Sequence, residues 1–184
     1  SHDTDVAYMT IDNHKRGDYK PYVLRTENRG RSWLLISNNL PQWGSAHTIV
    51  EDHVDPDLLF VGTEFGLFFT QDRGDTWHRL KSNFPTISVR HIEIQQREND
   101  LVVGTFGRGI YILDDYTPLR TKAADVQPAH LFDVRDAWSY VVGDKTGVGE
   151  KGFRGAEFYT AKNPEFGAVF TYRLAEAVET AGER

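Results

Sequence analysis

Short apolar runs separated by turn residues dominate the chain up to residue 113. Runs rich in Val, Ile, Leu, Phe and Tyr alternate with clusters of Gly, Pro, Asn, Asp and Ser. This pattern is typical of β-strands, and no stretch of the region keeps a sustained helical period. The predicted strands span residues 6–11, 22–26, 32–36, 47–50, 58–63, 67–70, 76–80, 91–94, 101–105 and 110–113.

An internal repeat organises these strands. Residues 26–33 (Thr-Glu-Asn-Arg-Gly-Arg-Ser-Trp) align without a gap on residues 70–77 (Thr-Gln-Asp-Arg-Gly-Asp-Thr-Trp), at an offset of 44 residues. At the same offset, Asn-Leu-Pro at residues 39–41 recurs as Asn-Phe-Pro at residues 83–85. A period in the forties with four short strands per unit is the spacing of β-propeller blades. The strands therefore predict an incomplete first blade, a complete second blade and an incomplete third blade.

The repeat does not continue into the last part of the chain. Residues 121–126 are small and polar, as in linkers between domains, and a strand-like run follows at residues 167–174. We therefore predict an all-β fold. Residues 1–120 form a partial β-propeller of about two to three four-stranded antiparallel blades, and residues 121–184 form a linker and the start of a second β domain. A glycine-rich loop is predicted for residues 143–155, and a frayed helix or a disordered end for residues 175–184.

Charge and composition exclude several classes of function. The chain has 184 residues, with 21 Lys and Arg against 27 Asp and Glu, which gives a net charge of −6. This sign disfavours binding to a phosphate backbone. The sequence has no Cys, so disulfides, thiolate zinc sites and thiol nucleophiles are excluded. No apolar run is long enough to predict a membrane span.

The repeated octapeptide carries the chemistry of a tight turn. In each copy an Asp or Asn accepts hydrogen bonds from nearby backbone amides, a Gly supplies a positive φ, and hydroxyl side chains add local bonds. The Trp that ends each copy is expected to bury its ring against the next blade. These roles explain the motif without catalysis, so the prediction is structural. The residues are Thr26, Asn28, Gly30, Ser32 and Trp33 in the first box (residues 26–33) and Thr70, Asp72, Gly74, Thr76 and Trp77 in the second box (residues 70–77).

The two boxes resemble the Asp-box, also called the BNR repeat. Together with residues 19–23, 62–67, 104–115 and 163–172, they make the chain similar to large bacterial BNR-repeat proteins related to the sortilin propeller. Proteins of this kind are described as sortilin-like or glycosyl hydrolase-like. The resemblance implies that the chain is part of a longer protein, that an immunoglobulin-like sheet domain follows the propeller, and that the location is secreted or periplasmic. The sequence lacks the Cys-rich module that follows the animal sortilin propeller, so a sorting-receptor role is not implied.

A ligand face is expected on the side of the propeller away from the boxes. By resemblance to other propellers, the loops between the second and third strands of a blade, and between successive blades, gather on that side. Aromatic rings beside carboxylates and a guanidinium suit a glycan or a peptide. In the structural alternative, Phe65 and Phe106 are core residues and the charges of residues 12–18 only solvate a loop. The ligand-binding candidates are His14, Arg16, Trp43, Glu64, Phe65, Phe106 and Arg108.

An enzymatic alternative depends on one carboxylate pair. Glycosidases hold two carboxyl groups roughly 5–9.5 Å apart across the scissile bond, and Glu64 with Asp12 is the pair that this face allows. The alternative function is therefore part of a sialidase-like or xyloglucanase-like glycoside hydrolase. No metal is predicted, because His47, His53 and His91 lack a ligand spacing. No cofactor is predicted either, since no phosphate-binding glycine loop opens a helix.

The sequence favours binding over catalysis. We expect a non-catalytic binding or scaffold segment of a larger propeller, whose ligand is a glycan or a peptide. A purely structural segment, with the ligand residues in other blades, is a further alternative. The expected partners are the remaining blades of the parent chain, without nucleic acid. Open sheet edges are expected to favour self-association of the isolated chain.

Overall fold

The computed structural model of the chain describes residues 2–81, 83–122, 128–137, 139 and 166–175. These residues form β-strands, loops and two short 3-10 turns, His14–Arg16 and Thr117–Arg120. None of the described helices is long and apolar enough to cross a membrane. The strands are β1 (Ala7–Ile11), β2 (Tyr22–Thr26), β3 (Leu34–Leu35), β4 (Ala46–Glu51), β5 (Leu59–Thr63), β6 (Gly66–Thr70), β7 (His78–Arg79), β8 (Val89–Gln95), β9 (Asp100–Thr105), β10 (Ile110–Leu113), β11 (Ala129–Leu131) and β12 (Tyr172–Leu174).

Three antiparallel sheets follow one another along the chain. Sheet 1 has the order β1-β2-β3, sheet 2 the order β4-β5-β6-β7 and sheet 3 the order β8-β9-β10. This confirms the predicted all-β fold of partial propeller blades, with a complete four-stranded sheet between two three-stranded ones. The outermost strands β3 and β7 are shorter than predicted, since each contains 2 residues.

Two apolar clusters hold the three sheets together. The alternating side chains of β5 point to opposite sides, so that Leu59 and Val61 pack in one cluster while Phe60 packs in the other. All five residues of β5 are buried, as expected for a strand covered on both faces. The cluster between sheets 1 and 2 also contains Val23, Ile36, Leu40, Ala46, Phe68 and Trp77, and that between sheets 2 and 3 also contains Leu58, Leu67, Val89, Ile92, Ile94, Leu101, Val103 and Tyr116.

The two boxes form the same hydrogen-bonded turn. In the first box the amide of Gly30 donates to the hydroxyl of Thr26 at 2.9 Å, and in the second the amide of Gly74 donates to the hydroxyl of Thr70 at 3.1 Å. Both glycines have a positive φ, +80° and +96°. The side chains of Asn28 and Asp72 accept from the amides of Ser32 and Thr76, at 2.9 and 2.8 Å.

The tryptophans of the two boxes differ in burial. Trp77 is 3% exposed, and its indole donates to the carbonyl of Ile36 at 2.7 Å. Its backbone also exchanges two hydrogen bonds with the side chain of Asn39. The expectation that the ring packs against the next blade is wrong in direction, because Ile36 and Asn39 belong to the preceding repeat. Trp33 is 37% exposed.

Each of the three sheets has two edge strands. Among the described residues, β1 and β10 are the edges at which sheets 1 and 3 fall one strand short of the four-stranded sheet 2. Ile110 and Ile112 of β10 are 71% and 60% exposed. Apolar side chains on an unpaired edge favour association. The predicted self-association of the isolated chain stays a prediction.

The chain divides into two compact units, Ser1–Asp125 and Val126–Arg184. In the second unit β11 and β12 form an antiparallel pair with Ala129 opposite Leu174. Residues 123–127, 140–165 and 176–184 lie outside the described residues, so the glycine-rich loop, most of the chain end and much of the expected linker and sheet domain lie there too. The immunoglobulin-like domain stays a prediction.

Candidate functional site

A cleft of about 550 Å³ opens among the loops that join β1 to β2, β3 to β4 and β5 to β6. It lies at the end of the sheets where β4 begins, away from the boxes. The loops bring distant parts of the sequence together, because two of them connect paired strands at this end and the third leads from sheet 1 to sheet 2. Its lining residues are Asp12, His14, Tyr19, Trp43, Gly44, Ser45, His47, Glu64, Phe65 and Arg90.

Backbone hydrogen bonds fix the floor of the cleft. The amide of Gly44 donates to the carbonyl of Tyr19 at 2.7 Å, and the amide of Glu64 donates to the carbonyl of Ser45 at 2.9 Å. Gly44 has a φ of +107°, and a Cβ at this position would stand 2.7 Å from the ring of Phe65. Glycine at residue 44 therefore permits both the turn and the close seating of the aromatic ring.

Three aromatic rings line the cleft and remain open to solvent. Trp43 is 64% exposed, Tyr19 is 50% exposed and Phe65 is 47% exposed. Large apolar side chains gathered in this way on the surface of a concave site are typical of ligand contacts. This exposure does not support the structural alternative, in which Phe65 is a core residue. Phe106 is 70% exposed as well.

His47 stands at the polar centre of the cleft. Its side chain is 7% exposed, with Nε2 at 2.7 Å from Glu64 Oε2 and Nδ1 at 3.8 Å from Asp12 Oδ2. Nη1 of Arg90 lies 3.3 Å from Nδ1. A guanidinium only donates, so Nδ1 accepts and the ring proton resides on Nε2, which donates to Glu64. This arrangement places the imidazole between two carboxylates and beside one guanidinium.

The carboxylate of Glu64 gathers three donors on one oxygen. Oε2 accepts from His47, from the hydroxyl of Ser88 at 3.3 Å and from Nη2 of Arg90 at 3.4 Å. The guanidinium of Arg90 also lies over the ring of Phe106, 5.4 Å from its centroid. Arg90 is thus held by an ion pair, an imidazole and a cation–π contact.

Asp12 is stabilised in its ionised form. Burial raises the pKa of its carboxyl, but hydrogen bonds from Ser45 and His14 outweigh that effect and lower the pKa to about 2. His14 donates twice to Oδ1, from its backbone amide at 3.1 Å and from Nδ1 at 2.8 Å. Asp12 therefore carries a full negative charge at neutral pH.

The structure gathers some of the predicted ligand residues and leaves others apart. Asp12, His14, Trp43, Glu64 and Phe65 all line the cleft. Of the other predicted residues, Phe106 contacts the ion pair through Arg90, whereas Arg16 and Arg108 are exposed and do not line the cleft. The guanidinium beside Glu64 is that of Arg90.

Sequence reasoning missed Tyr19, His47 and Arg90 as cleft residues. The strand register of β4 shifts between Ala46 and Thr48, and that of β8 shifts between Val89 and His91. His47 and Arg90 are therefore the extra residues of two equivalent bulges, and a bulge turns a side chain away from the regular alternation of the strand. The apolar-polar pattern carries no signal for such a bulge.

A second polar cluster lies at the other end of β4 and has a structural role. The carboxylate of Asp52 accepts from Nε and Nη2 of Arg120 at 2.7 and 2.9 Å, and from the hydroxyl of Tyr116. Burial raises the pKa of Asp52, but the bonds from Arg120 and Tyr116 prevail and lower it to about 2. The ion pair fastens the turn Thr117–Arg120 to sheet 2. Among the described residues, no group of three or more His, Asp or Glu side chains is placed to hold a metal ion.

Comparison with solved structures shows a likeness in fold. No known protein family matches the chain, and no curated protein matches it. Among solved structures, the GH74 xyloglucanase from Xanthomonas campestris is similar, with a TM-score of 0.51 and 18% sequence identity. The similarity covers 72% of this chain and 24% of the xyloglucanase, so the chain spans about a quarter of that protein. At this identity the likeness shows the propeller-type fold alone.

Proposed function

We propose that the chain is a binding segment of a larger propeller protein and that the cleft binds an oligosaccharide without cleaving it. The observation that carries the proposal is the set of solvent-exposed rings, Tyr19, Trp43 and Phe65, around a polar centre in one concave site. Apolar faces of sugar rings stack on aromatic side chains, while ordered polar groups fix the hydroxyls. The resemblance to BNR-repeat and sortilin-like propellers agrees with this proposal.

A glycoside hydrolase is the second candidate function. The observation that favours it is the placement of Asp12 and Glu64 in one cleft, in a chain whose fold is similar to a xyloglucanase. One feature of the cleft weighs against it. The ring of His47 stands between the two carboxylates, where a scissile bond would have to lie.

Binding is tested by titrating the full chain with cello- and xyloglucan-oligosaccharides, with intrinsic fluorescence and calorimetry as the readouts. We expect Trp43→Ala to lower the affinity at least tenfold, about 1.4 kcal/mol, because a stacking platform is lost. Trp33→Ala is the matched control, since Trp33 lies in the first box, away from the cleft. Equal loss in both variants would contradict the cleft as the site.

The same titrations separate binding from hydrolysis. New reducing ends are measured after long incubation with each oligosaccharide. Binding without product supports the proposed function. Product formation that Asp12→Asn and Glu64→Gln both abolish would establish the hydrolase instead. Absence of binding to any oligosaccharide would overturn the proposal.

A further inference from the structure

We propose that Glu64 is a specificity-determining residue that makes the cleft select uncharged oligosaccharides and reject those that carry carboxylates. This inference rests on the proposed function, because it concerns the ligand class of the same cleft. It reverses the simplest expectation for a guanidinium in a sugar site, which is that Arg recognises an acidic sugar. The reason lies in what Arg90 already contacts.

One edge of the Arg90 guanidinium is engaged inside the protein. Nη1 lies 3.3 Å from Nδ1 of His47, and Nη2 lies 3.4 Å from Oε2 of Glu64. The face of the guanidinium is covered on one side by the ring of Phe106. Paired Arg binding to a carboxylate needs two parallel N–H groups on the same edge. A ligand carboxylate that approached the edge facing the cleft centre would have to displace the contacts to His47 and Glu64.

The charge of the cleft also opposes an anion. Asp12 and Glu64 bring two carboxylates and Arg90 brings one guanidinium. The charges of the lining residues therefore leave an excess of negative charge under conditions in which both imidazoles, His14 and His47, are neutral. A ligand carboxylate entering this space would face like charge at short range, where water screens poorly.

The same arrangement suits sugar hydroxyls. Among the described residues, the hydrogen bonds to the carboxylate of Glu64 all end on Oε2, so Oε1 is available as an acceptor. The side chains of Glu64 and Asp12 are 38% and 27% exposed. Hydroxyl groups donate to such carboxylates without bringing charge, and the rings of Trp43 and Phe65 accept the apolar faces of the sugar.

A matched pair of ligands isolates the charge. β-1,4-linked glucose oligomers and the β-1,4-linked glucuronate oligomers of equal length share a backbone and differ by oxidation at C6. Both are titrated against the full chain at pH 8, where an imidazole is generally neutral. We expect the wild type to bind the neutral oligomer at least tenfold more tightly. The ratio of the affinity for the neutral oligomer to that for the acidic oligomer is expected to fall in high salt, because the repulsion is Coulombic.

Three variants of the same chain test the role of Glu64. Glu64→Gln removes the charge and releases Arg90, so we expect binding of the acidic oligomer to rise and the ratio to fall below about threefold, about 0.6 kcal/mol. Glu64→Asp keeps the charge and is expected to keep the preference. Asp12→Asn removes one charge but leaves Arg90 paired, so its ratio is expected to lie between those of the wild type and Glu64→Gln. Thermal unfolding confirms that each variant is folded.

The outcomes separate this inference from the proposed function. Equal affinity of the wild type for both oligomers would overturn charge selection and leave the oligosaccharide-binding role standing. An unchanged ratio in folded Glu64→Gln would overturn the role of Glu64. Failure of the wild type to bind either oligomer, with binding of a lysine-rich peptide instead, would overturn the proposed function and this inference with it.

Discussion

The two boxes have nearly the same turn but different surroundings. In both boxes the Thr hydroxyl accepts from the amide of the Gly, and the Asn or Asp side chain accepts from the amide four residues further on. In both, the Gly has a positive φ. Trp77 packs against sheet 1, where Ile36 accepts its indole hydrogen bond, whereas Trp33 has no sheet before it among the described residues. The turn is therefore determined locally, whereas the contribution of its Trp to stability depends on a neighbouring sheet.

Removing the two rings should show the largest difference. We expect Trp77→Ala to lower the free energy of unfolding by about 3–5 kcal/mol, because a large buried ring and its hydrogen bond are lost. For Trp33→Ala we expect about 1 kcal/mol or less, since the ring is partly solvated. Urea unfolding of the full chain, followed by far-UV circular dichroism, measures both.

Equal losses for the two Trp variants would contradict the comparison. A loss confined to Trp77→Ala would support it.

The glycines of the two boxes differ in their surroundings in the same way as the tryptophans. A Cβ on Gly74 would stand 2.6 Å from Cδ1 of Ile36, whereas a Cβ on Gly30 meets the ring of Trp33 at an ordinary 3.7 Å. Both substitutions strain a positive φ, which costs about 1–2 kcal/mol. Gly74→Ala adds overpacking, so we expect about 2–4 kcal/mol for it and about 1–2 kcal/mol for Gly30→Ala. Calorimetric melting measures the two losses, and a larger loss for Gly30→Ala would contradict the packing.

The fold could be predicted from the sequence because its signals are local and repeated. The period-two alternation, the turn residues and the 44-residue offset each specify strands or turns within a few residues. The lengths of β3 and β7 could not be predicted in the same way. The paired part of β7 is His78 and Arg79, with one further bond from the amide of Leu80 to the carbonyl of Leu67 at 2.9 Å, and the extent of such cross-strand pairing is not written in a local pattern.

The cleft was predicted only in part, since some of its residues are placed by non-local geometry. Trp43, Glu64 and Phe65 lie in loops, and the strand order brings loops at one end together. His47 and Arg90 reach the cleft because β4 and β8 each contain a bulge opposite a partner strand. The ion pair between Asp52 and Arg120 joins residues 68 positions apart and leaves no trace in the local pattern.

The smallest expected difference between the boxes concerns pH. Burial raises the pKa of Asp72, but hydrogen bonds from Thr70 and Thr76 dominate and lower it below the ordinary value of 3.8. Asn28 occupies the same position in the first box and does not titrate. A lowered pKa in the folded state means that ionised Asp72 stabilises the chain above about pH 4 and that this contribution is lost as the pH falls through the folded-state pKa.

Asp72→Asn makes the second box chemically like the first and isolates this contribution. We expect the free energy of unfolding to fall by about 0.5–1 kcal/mol at pH 7, because the amide oxygen of Asn still accepts from the backbone but without the help of a charge. Urea unfolding at intervals between pH 7 and pH 2 measures the difference in the free energy of unfolding between the wild type and the variant, which is called the gap below. Because Asp12, Asp52 and Asp57 titrate in both proteins, their effects cancel, and the gap should close below pH 4. A gap that stays constant down to pH 2 would show that the charge of Asp72 makes no difference to the turn, and that Asn and Asp are equivalent there.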